Sequence, residues 1–435
     1  MVPLHKKGDR KDVNNYRPIS LLPALSKIGE KAIATQIYKY FEDNNIFPRR
    51  QYGFRQNRST MQAVMNLTYE MGKLKSKRQN YAVLLMDLSK AFDLIDHQIL
   101  QDKLKRYGSD KRTLQLISSY LTNRTQYVST NGKDSAIKTL PAIGCPQGSI
   151  LGPLLYLIYT VDIENVTDNF AVMYADDTAV LIPITSKNDL GNVRDTLLQY
   201  ETNFHANKLK INTKKTEMLS NKELTLDMGT YRLSCTPQSS ANYLGIRMNG
   251  KLCWKDHMTH TANKARQGLY ALAKLKKVNN VTTKKLVFNA LINSHINYGI
   301  HLWSHQNSEE HKQIRKIHKA GVRMIVKAHP KEHSEPIYKQ LGILKLEDMA
   351  KPLILSEFVK LSKNHNSDLR TYYNIQKTKT RSGTALTSKY KNSLSAQHCK
   401  LLRELPSEIH DNITARTKVS RLKSHLVKQY STRYI

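Results

Sequence analysis

Along this chain the apolar positions change spacing repeatedly, and the changes predict its elements. In AVMYADDTAVL, residues 171–181, two mostly apolar runs flank Ala175-Asp176-Asp177. Val172, Tyr174, Thr178 and Val180 favour extended backbone and Ala-Asp-Asp suits a tight turn, so the stretch predicts a β-hairpin with its acids near the tip. YAVLLMDLSKAFD, residues 81–93, opens as an unbroken apolar run, the pattern of a strand covered on both faces, with Asp87 where that strand ends. TQYVSTNGKDSAIKT places Asn131-Gly132 between alternating segments and predicts a hairpin with a primed turn.

Helical spacing takes over elsewhere. Leu25 to Phe41 repeats Ile33, Ile37, Tyr40 and Phe41, and helical patterns recur around Gln98–Tyr107 and Arg112–Leu121. GCPQGSILGPLLYLIYTVDI begins as a Gly/Pro loop and becomes an apolar helix. Beyond residue 250 helices dominate, over Asp256–Lys277, Thr282–Tyr298 and Ser308–Ile325. In the last, Ser308 is a natural N-cap with Glu309 and Glu310 in the first turn, and Ile314, Ile317, Gly321 and Met324 are assigned to a core-facing side. The segment 371–435 holds 13 Lys or Arg against 3 Asp or Glu, which fits either a basic nucleic-acid arm or a marginal helical region with solvated charges.

Composition narrows the function classes. The 435 residues carry a formal net charge of +34, a field that points to a polyanionic partner and most simply to nucleic acid. No apolar run approaches the roughly 18 residues that span a bilayer, and MVPLHKKGDR lacks a signal-peptide core, so an intracellular, unsecreted protein without a membrane partner is expected. Cys145, Cys235, Cys253 and Cys399 are too dispersed for a zinc site, and disulfides are not expected.

The acids stand out against this basic background. If the strand ending at Asp87 pairs with the hairpin carrying Asp176 and Asp177, three carboxylates meet without a local cation in the hairpin. Close carboxylates repel and burial raises the cost, so such a cluster calls for bound cations, and hard oxygen ligands select Mg²⁺ or Mn²⁺. Two such ions, roughly 4 Å apart, form the two-metal arrangement of polymerases and nucleases.

Seven blocks occur in order: NNYRPISLL (14–22), QYGFRQNRST (51–60), LLMDLSKAFD (84–93), PQGSILGPLLYLIY (146–159), YADD (174–177), LKINTKKTEML (209–219) and YLGIRMN (243–249). This series resembles the motif set of reverse transcriptases, and more narrowly those of jockey-like non-LTR retrotransposons. The resemblance implies an α+β right-hand polymerase with fingers, a palm built on an antiparallel sheet, and a helical thumb. It divides the chain into 1–249 for fingers and palm including the primer grip, 250–340 for a thumb-like domain, and 341–435 for a basic, mostly helical C-terminal region. The implied activity is RNA-directed DNA synthesis with two Mg²⁺ or Mn²⁺ ions, an RNA template, a DNA primer and dNTPs, in a nuclear or cytoplasmic ribonucleoprotein.

Block by block, the resemblance gives Asp87, Asp176 and Asp177 as catalytic metal ligands, Asp177 being the less certain in direct coordination. Phe92 matches a steric gate against a 2′-hydroxyl, with a core aromatic as its bland alternative. Gln147 and Gly148 match the loop lining the nascent base pair, and Arg17 with Lys6 or Lys7 matches the cations on the triphosphate. Lys215 matches a lysine that protonates pyrophosphate, the register between it and Lys214 staying open. Arg55 and Arg58 are expected to contact template or to brace the fingers. Tyr243, Leu244 and Gly245 fall in the primer grip, where Tyr243, Leu244 and Ile246 fit packing equally well. The chain is expected to start inside the fingers without an endonuclease, RNase H or zinc knuckle. Rival readings are an inactive element-derived nucleic-acid-binding module, a two-metal nuclease, and a polymerase of the maturase or telomerase branch.

Overall fold

The computed structural model describes residues 1–130, 132–185 and 190–363, together with the strands Ile375–Thr380 and Gly383–Ser388. In the order of the chain, β1 (Val2–His5) pairs with β2 (Tyr16–Ile19), and α1 (Ala24–Asp43) and α2 (Thr60–Ser76) follow. A capping box starts α2, Ser59 and Gln62 satisfying each other's backbone N–H groups, a feature worth about 1 kcal/mol. Next come β3 (Asn80–Met86), α3 (His97–Arg106), α4 (Lys111–Leu121), α5 (Leu151–Tyr159), β4 (Phe170–Tyr174), β5 (Asp177–Ile184), α6 (Leu190–Ala206) and β6 (Glu217–Ser220). The hairpin β7 (Ser240–Tyr243) and β8 (Ile246–Asn249) precedes the helical part.

An antiparallel sheet in the order β6-β3-β5-β4 organises these elements. Because side chains alternate across a strand, it feeds two cores. Tyr81, Val83, Leu85, Val172 and Leu181 join a cluster with α2 and the later helices. Ala82, Leu84, Met86, Ala171, Met173 and Val180 join another with α1, α3, α4, α5 and α6. The expected two-sided burial of β3 is therefore present, with every residue from Tyr81 to Met86 buried.

The helical part comprises α7 (Lys255–Lys274), α8 (Val281–Phe288), α9 (Glu309–Val326), α10 (Ser334–Leu341) and α11 (Leu346–Lys363). The helix expected over 282–298 is broken: α8 passes into a π-turn, Asn289–Asn293, then a short helix, Ser294–Asn297, and stops before Gly299 at φ 77°. Ser308 caps α9 as expected, accepting from His311 N–H. Met324 is the exception on that helix, since it is exposed while Ile314, Ile317, His318, Gly321, Val322 and Ile325 face the core. Spacing at three residues drifts off a 3.6-residue stripe, and Ile325 takes the inward place.

The hairpin around Asn131-Gly132 exists, Thr130 pairing with Lys133, although Asn131 lies outside the described residues. Within the stretch expected to be mostly helical, Ile375–Thr380 pairs antiparallel with Gly383–Ser388. Both segments are rich in threonine, whose branched β-carbon suits strands. The rest of 371–435 lies outside the described residues. No helix among the described residues is long and apolar enough to cross a membrane.

Candidate active site

The end of the sheet assembles the acids. β4 and β5 are joined through Ala175 and Asp176, with Tyr174 opposite Asp177, so the acids stand at the tip as the apolar pattern predicts. Met86 pairs with Thr178, which brings Asp87, the next residue after β3, beside that tip. The chain beyond Asp87 stays extended against the 210–212 segment: Ser89 N–H donates to Lys210 and Asn212 N–H to the carbonyl of Asp87, both at 2.8 Å.

Electrostatics register the convergence. Burial first, then the carboxylates of Asp176 and Asp87, push the pKa of Asp177 up to about 6, and Lys215 and Lys6 oppose the rise. Asp176 is raised too, by burial and then by Asp87. Tyr156, fully buried below, keeps its phenol proton because of burial and the three acids; its hydroxyl lies 3.4 Å from the carbonyl of Ala175.

Cations face these acids. The Lys215 ammonium is hydrogen-bonded to Asp87 Oδ2, which the Asn212 amide also approaches at 3.5 Å. Of the two adjacent lysines, both exposed, Lys215 is the one whose ammonium reaches Asp87. Lys6, on the loop after β1, is lowered by burial, then by Arg17 and Lys215, with a smaller contribution from Lys7, against the pull of Asp87. Lys6, Lys7, Arg17 and Lys215 therefore share one neighbourhood with the carboxylates.

The other expected residues form the surroundings. Phe92 stacks on Tyr156 with ring centroids 5.0 Å apart and meets the edge of Phe54 at 5.7 Å. It is half-buried, a ring both packed and open on one side. Gln147 donates to Asp93 at 2.8 Å, and its carbonyl accepts from Ser20 N–H at 2.8 Å. Gly148 sits at φ 106°, where a Cβ would come within 3.1 Å of the Ser20 carbonyl, so this turn tolerates no side chain without strain.

Arg55 and Arg58 are engaged within the protein. Arg55 makes a bidentate pair with Glu42, at 2.5 and 2.8 Å, and donates to the carbonyl of Pro48 at 2.6 Å with its side chain 7% exposed. Of the two expectations for Arg55, contact with template or bracing, the geometry is that of a brace. Arg58 donates to the Arg49 carbonyl at 2.6 Å and lies over the Tyr52 ring.

Tyr243 is a core residue, whereas Leu244 and Gly245 form the β7–β8 turn, both at positive φ. The Tyr298 hydroxyl donates to the Leu244 carbonyl and pins that turn. Sequence reasoning missed Glu30, Gln51 and Asn212. Glu30 is buried and accepts from the N–H groups of Ile150 and Leu151 at 2.7 and 3.1 Å, an anion at the start of α5. Its signal was a lone acid four residues before Ala34 on the apolar stripe of α1.

As the side chains stand, no three His, Cys, Asp or Glu groups among the described residues close into a metal-holding cluster, and Lys215 is docked on Asp87. The donor set still fits a hard cation, because carboxylates whose pKa values rise through burial and mutual repulsion are stabilised in their charged form by one.

Residues 4–248 match the family model described as reverse transcriptase (RNA-dependent DNA polymerase). More than half of the chain is matched, and the chain belongs to that family. The α+β class and antiparallel sheet implied by its motifs are those of this chain, whose four-stranded sheet carries helices on both faces. Among curated proteins it is 27% identical over 372 residues to the probable RNA-directed DNA polymerase from transposon BS of Drosophila melanogaster, covering 79% of this chain and 40% of that protein. It is also 27% identical over 390 residues to the RNA-directed DNA polymerase from mobile element jockey of the same organism, covering 84% and 42%. The chain thus spans about two fifths of the length of these relatives. Among solved structures it is similar to a telomerase from Candida albicans in complex with a TWJ fragment of telomeric RNA, with a TM-score of 0.41 and 13% identity over 74% of this chain and 59% of that one.

Proposed function

We propose that this chain extends a primer 3′-hydroxyl with deoxynucleotides on an RNA template. The observation that carries the reading is the meeting of Asp87, Asp176 and Asp177 with Lys6, Arg17 and Lys215 at one end of the sheet. Asp87 and Asp176 would hold divalent Mg²⁺ or Mn²⁺, with Asp177 beside them. When bound, two such ions supply a lowered pKa at the attacking hydroxyl and charge neutralisation at the phosphates.

The chain's own groups supply the rest. Lys6, Lys7 and Arg17 attract and orient the triphosphate, as phosphoryl transfer depends chiefly on positioning and charge compensation. Lys215 stands where it can carry a proton toward departing pyrophosphate once released from Asp87. Phe92, firmly backed by Tyr156, limits the space under the sugar. The PQG loop offers backbone to the nascent pair. Residues 1–249 would be fingers and palm, 250–340 a thumb-like unit and 341–435 a basic region. Lys264, Lys274, Lys276 and Lys277, exposed on α7 and the turn after it, suit phosphate contacts, so affinity for template-primer should fall steeply with salt.

The lysine docked on Asp87 also favours a second reading, an inactive nucleic-acid-binding module whose acid is permanently paired. Primer extension on poly(rA)/oligo(dT) with Mg²⁺ separates the two. Incorporation lost in Asp176→Ala supports the polymerase; equal binding without incorporation by either protein supports the module.

A further inference from the structure

Gln51 is 1% exposed, and a primary amide is tolerated at such depth only when its donors and acceptor are used. Its partners belong to the acid-bearing turn. Oε1 accepts from the N–H groups of Gly53 and Ala175 at 2.8 and 3.0 Å, and Nε2 donates to the carbonyl of Ala175 at 3.3 Å. Amide orientation follows from chemistry, since backbone N–H groups can face only the oxygen.

One side chain therefore holds Ala175 on both sides of its backbone. Ala175 sits at φ 56°, a left-handed conformation that a non-glycine residue adopts only at a cost, immediately before Asp176. Neighbouring bonds extend the hold. Met173 N–H donates to Arg50 at 2.9 Å and Tyr52 N–H to Met173 at 2.8 Å, so the segment around Gln51 runs parallel to β4 along its edge. Gly53 lies so close that a Cβ there would fall 2.1 Å from the nitrogen of Ala175.

We infer that Gln51 is a positioning residue: by clamping the Ala175 peptide it fixes the direction in which Asp176 and Asp177 leave the turn. The clamp answers a definite force, because adjacent half-buried carboxylates repel and would gain hydration by swinging outward. A neutral amide suits the task. Lysine or arginine there would neutralise the acids and compete with a bound cation, and glutamate would add a further negative charge. The inference rests on the polymerase reading only in what the aimed acids are for; the clamp itself is tested without it.

The test is amide hydrogen exchange on the full chain without added metal, followed by overlapping peptides across 170–184, for the wild type, Gln51→Met and Gln51→Glu. Gln51→Met removes acceptor and donor at similar volume and should lose protection at Ala175 while residues 178–184 stay protected. Gln51→Glu, assayed at about pH 4 where a carboxyl buried beside two acids is protonated and neutral, keeps both an acceptor and a donor and should retain protection at Ala175. Should Gln51→Met melt below the assay temperature, the glutamate variant decides: loss of its Ala175 protection overturns the clamp. In a folded Gln51→Met protein, protection equal to wild type overturns it whatever the activity. Primer extension by the same folded variant should lose kcat on the order of 10²-fold with little change in the KM for nucleotide, the signature of misplaced acids. A wild type without incorporation, together with lost protection in Gln51→Met, overturns the polymerase reading and supports the clamp.

Discussion

Two of the places where burial meets ionisable groups in this molecule answer it in opposite ways. In the helical part, His318 is fully buried and burial pushes its pKa down to about 3. Its neutral ring is satisfied on both sides, Nε2 toward Asn293 Oδ1 at 3.0 Å and Nδ1 toward the Tyr338 hydroxyl at 2.7 Å. Asn293 is oriented by its own bond to Asn289 at 2.8 Å. At the sheet end the same penalty pushes Asp176 and Asp177 upward, and what opposes it there is the charge of Lys215 and Lys6 together with one backbone hydrogen bond at Asp176. A packed region removes the charge; a site keeps it, offsets part of it with cations and leaves the rest to what binds.

The sharpest way to break this contrast is to delete one group from each side. Asp176→Ala should abolish incorporation by on the order of 10³-fold or more, several kcal/mol of transition-state stabilisation, while leaving the melting temperature unchanged or raised. His318→Ala should do the reverse, costing roughly 3 kcal/mol in urea unfolding through a cavity and the loss of two buried hydrogen bonds, with kcat per folded molecule preserved. If the histidine variant loses kcat without losing stability, the division between packed region and site is wrong.

Phe92 stands at the border, stacked like a core residue on Tyr156 yet beside the acids. Phe92→Val should let ribonucleotides compete, with the deoxy-to-ribo ratio of kcat/KM falling about 10- to 100-fold. An unchanged ratio with a lower melting temperature would make it a core aromatic only. Arg55→Ala tests the brace: it takes the bidentate cation from half-buried Glu42, leaving it the Tyr38 hydroxyl, and should cost roughly 2 kcal/mol in urea unfolding, discounted for the exposure of Glu42. Weakened template-primer binding at unchanged stability would instead restore the contact role.

What could be read in the residues follows the same division. The acid hairpin, the two-sided strand before Asp87 and the Ser308 cap were legible because period and capping chemistry are local. The π-turn at Asn289–Asn293 was not, since it depends on packing between helices and carries no Gly or Pro within it. Roles of single polar residues were the least visible. Arg55 and Gln51 sit in one motif, QYGFRQNRST, and spacing cannot say that one meets Glu42 and the other the backbone of Ala175, 124 residues away. Asn212 likewise meets Asp87 only through the pairing of distant segments.

The smallest effect is in the pH dependence of folding for the metal-free chain. Asp177 has a folded pKa of about 6 against an ordinary 3.8, so its protonated form favours the fold. That contribution is complete below about 3.8 and is lost as pH rises through about 6. His318, at about 3 against 6.5, contributes with the opposite sign: its support is complete above about 6.5 and is lost as pH falls toward 3. Between pH 4 and 6 the two slopes oppose each other, and wild-type stability should change less than either group alone would require. Asp177→Asn should raise the melting temperature by about 2–4 °C at pH 7, have little effect at pH 4, and steepen the loss on acidification. His318→Gln should flatten that loss. Parallel melting curves for wild type and Asp177→Asn from pH 4 to 7 would mean that the carboxylate is already compensated within the protein, by Lys215 and Lys6, and the contrast between the two regions would collapse.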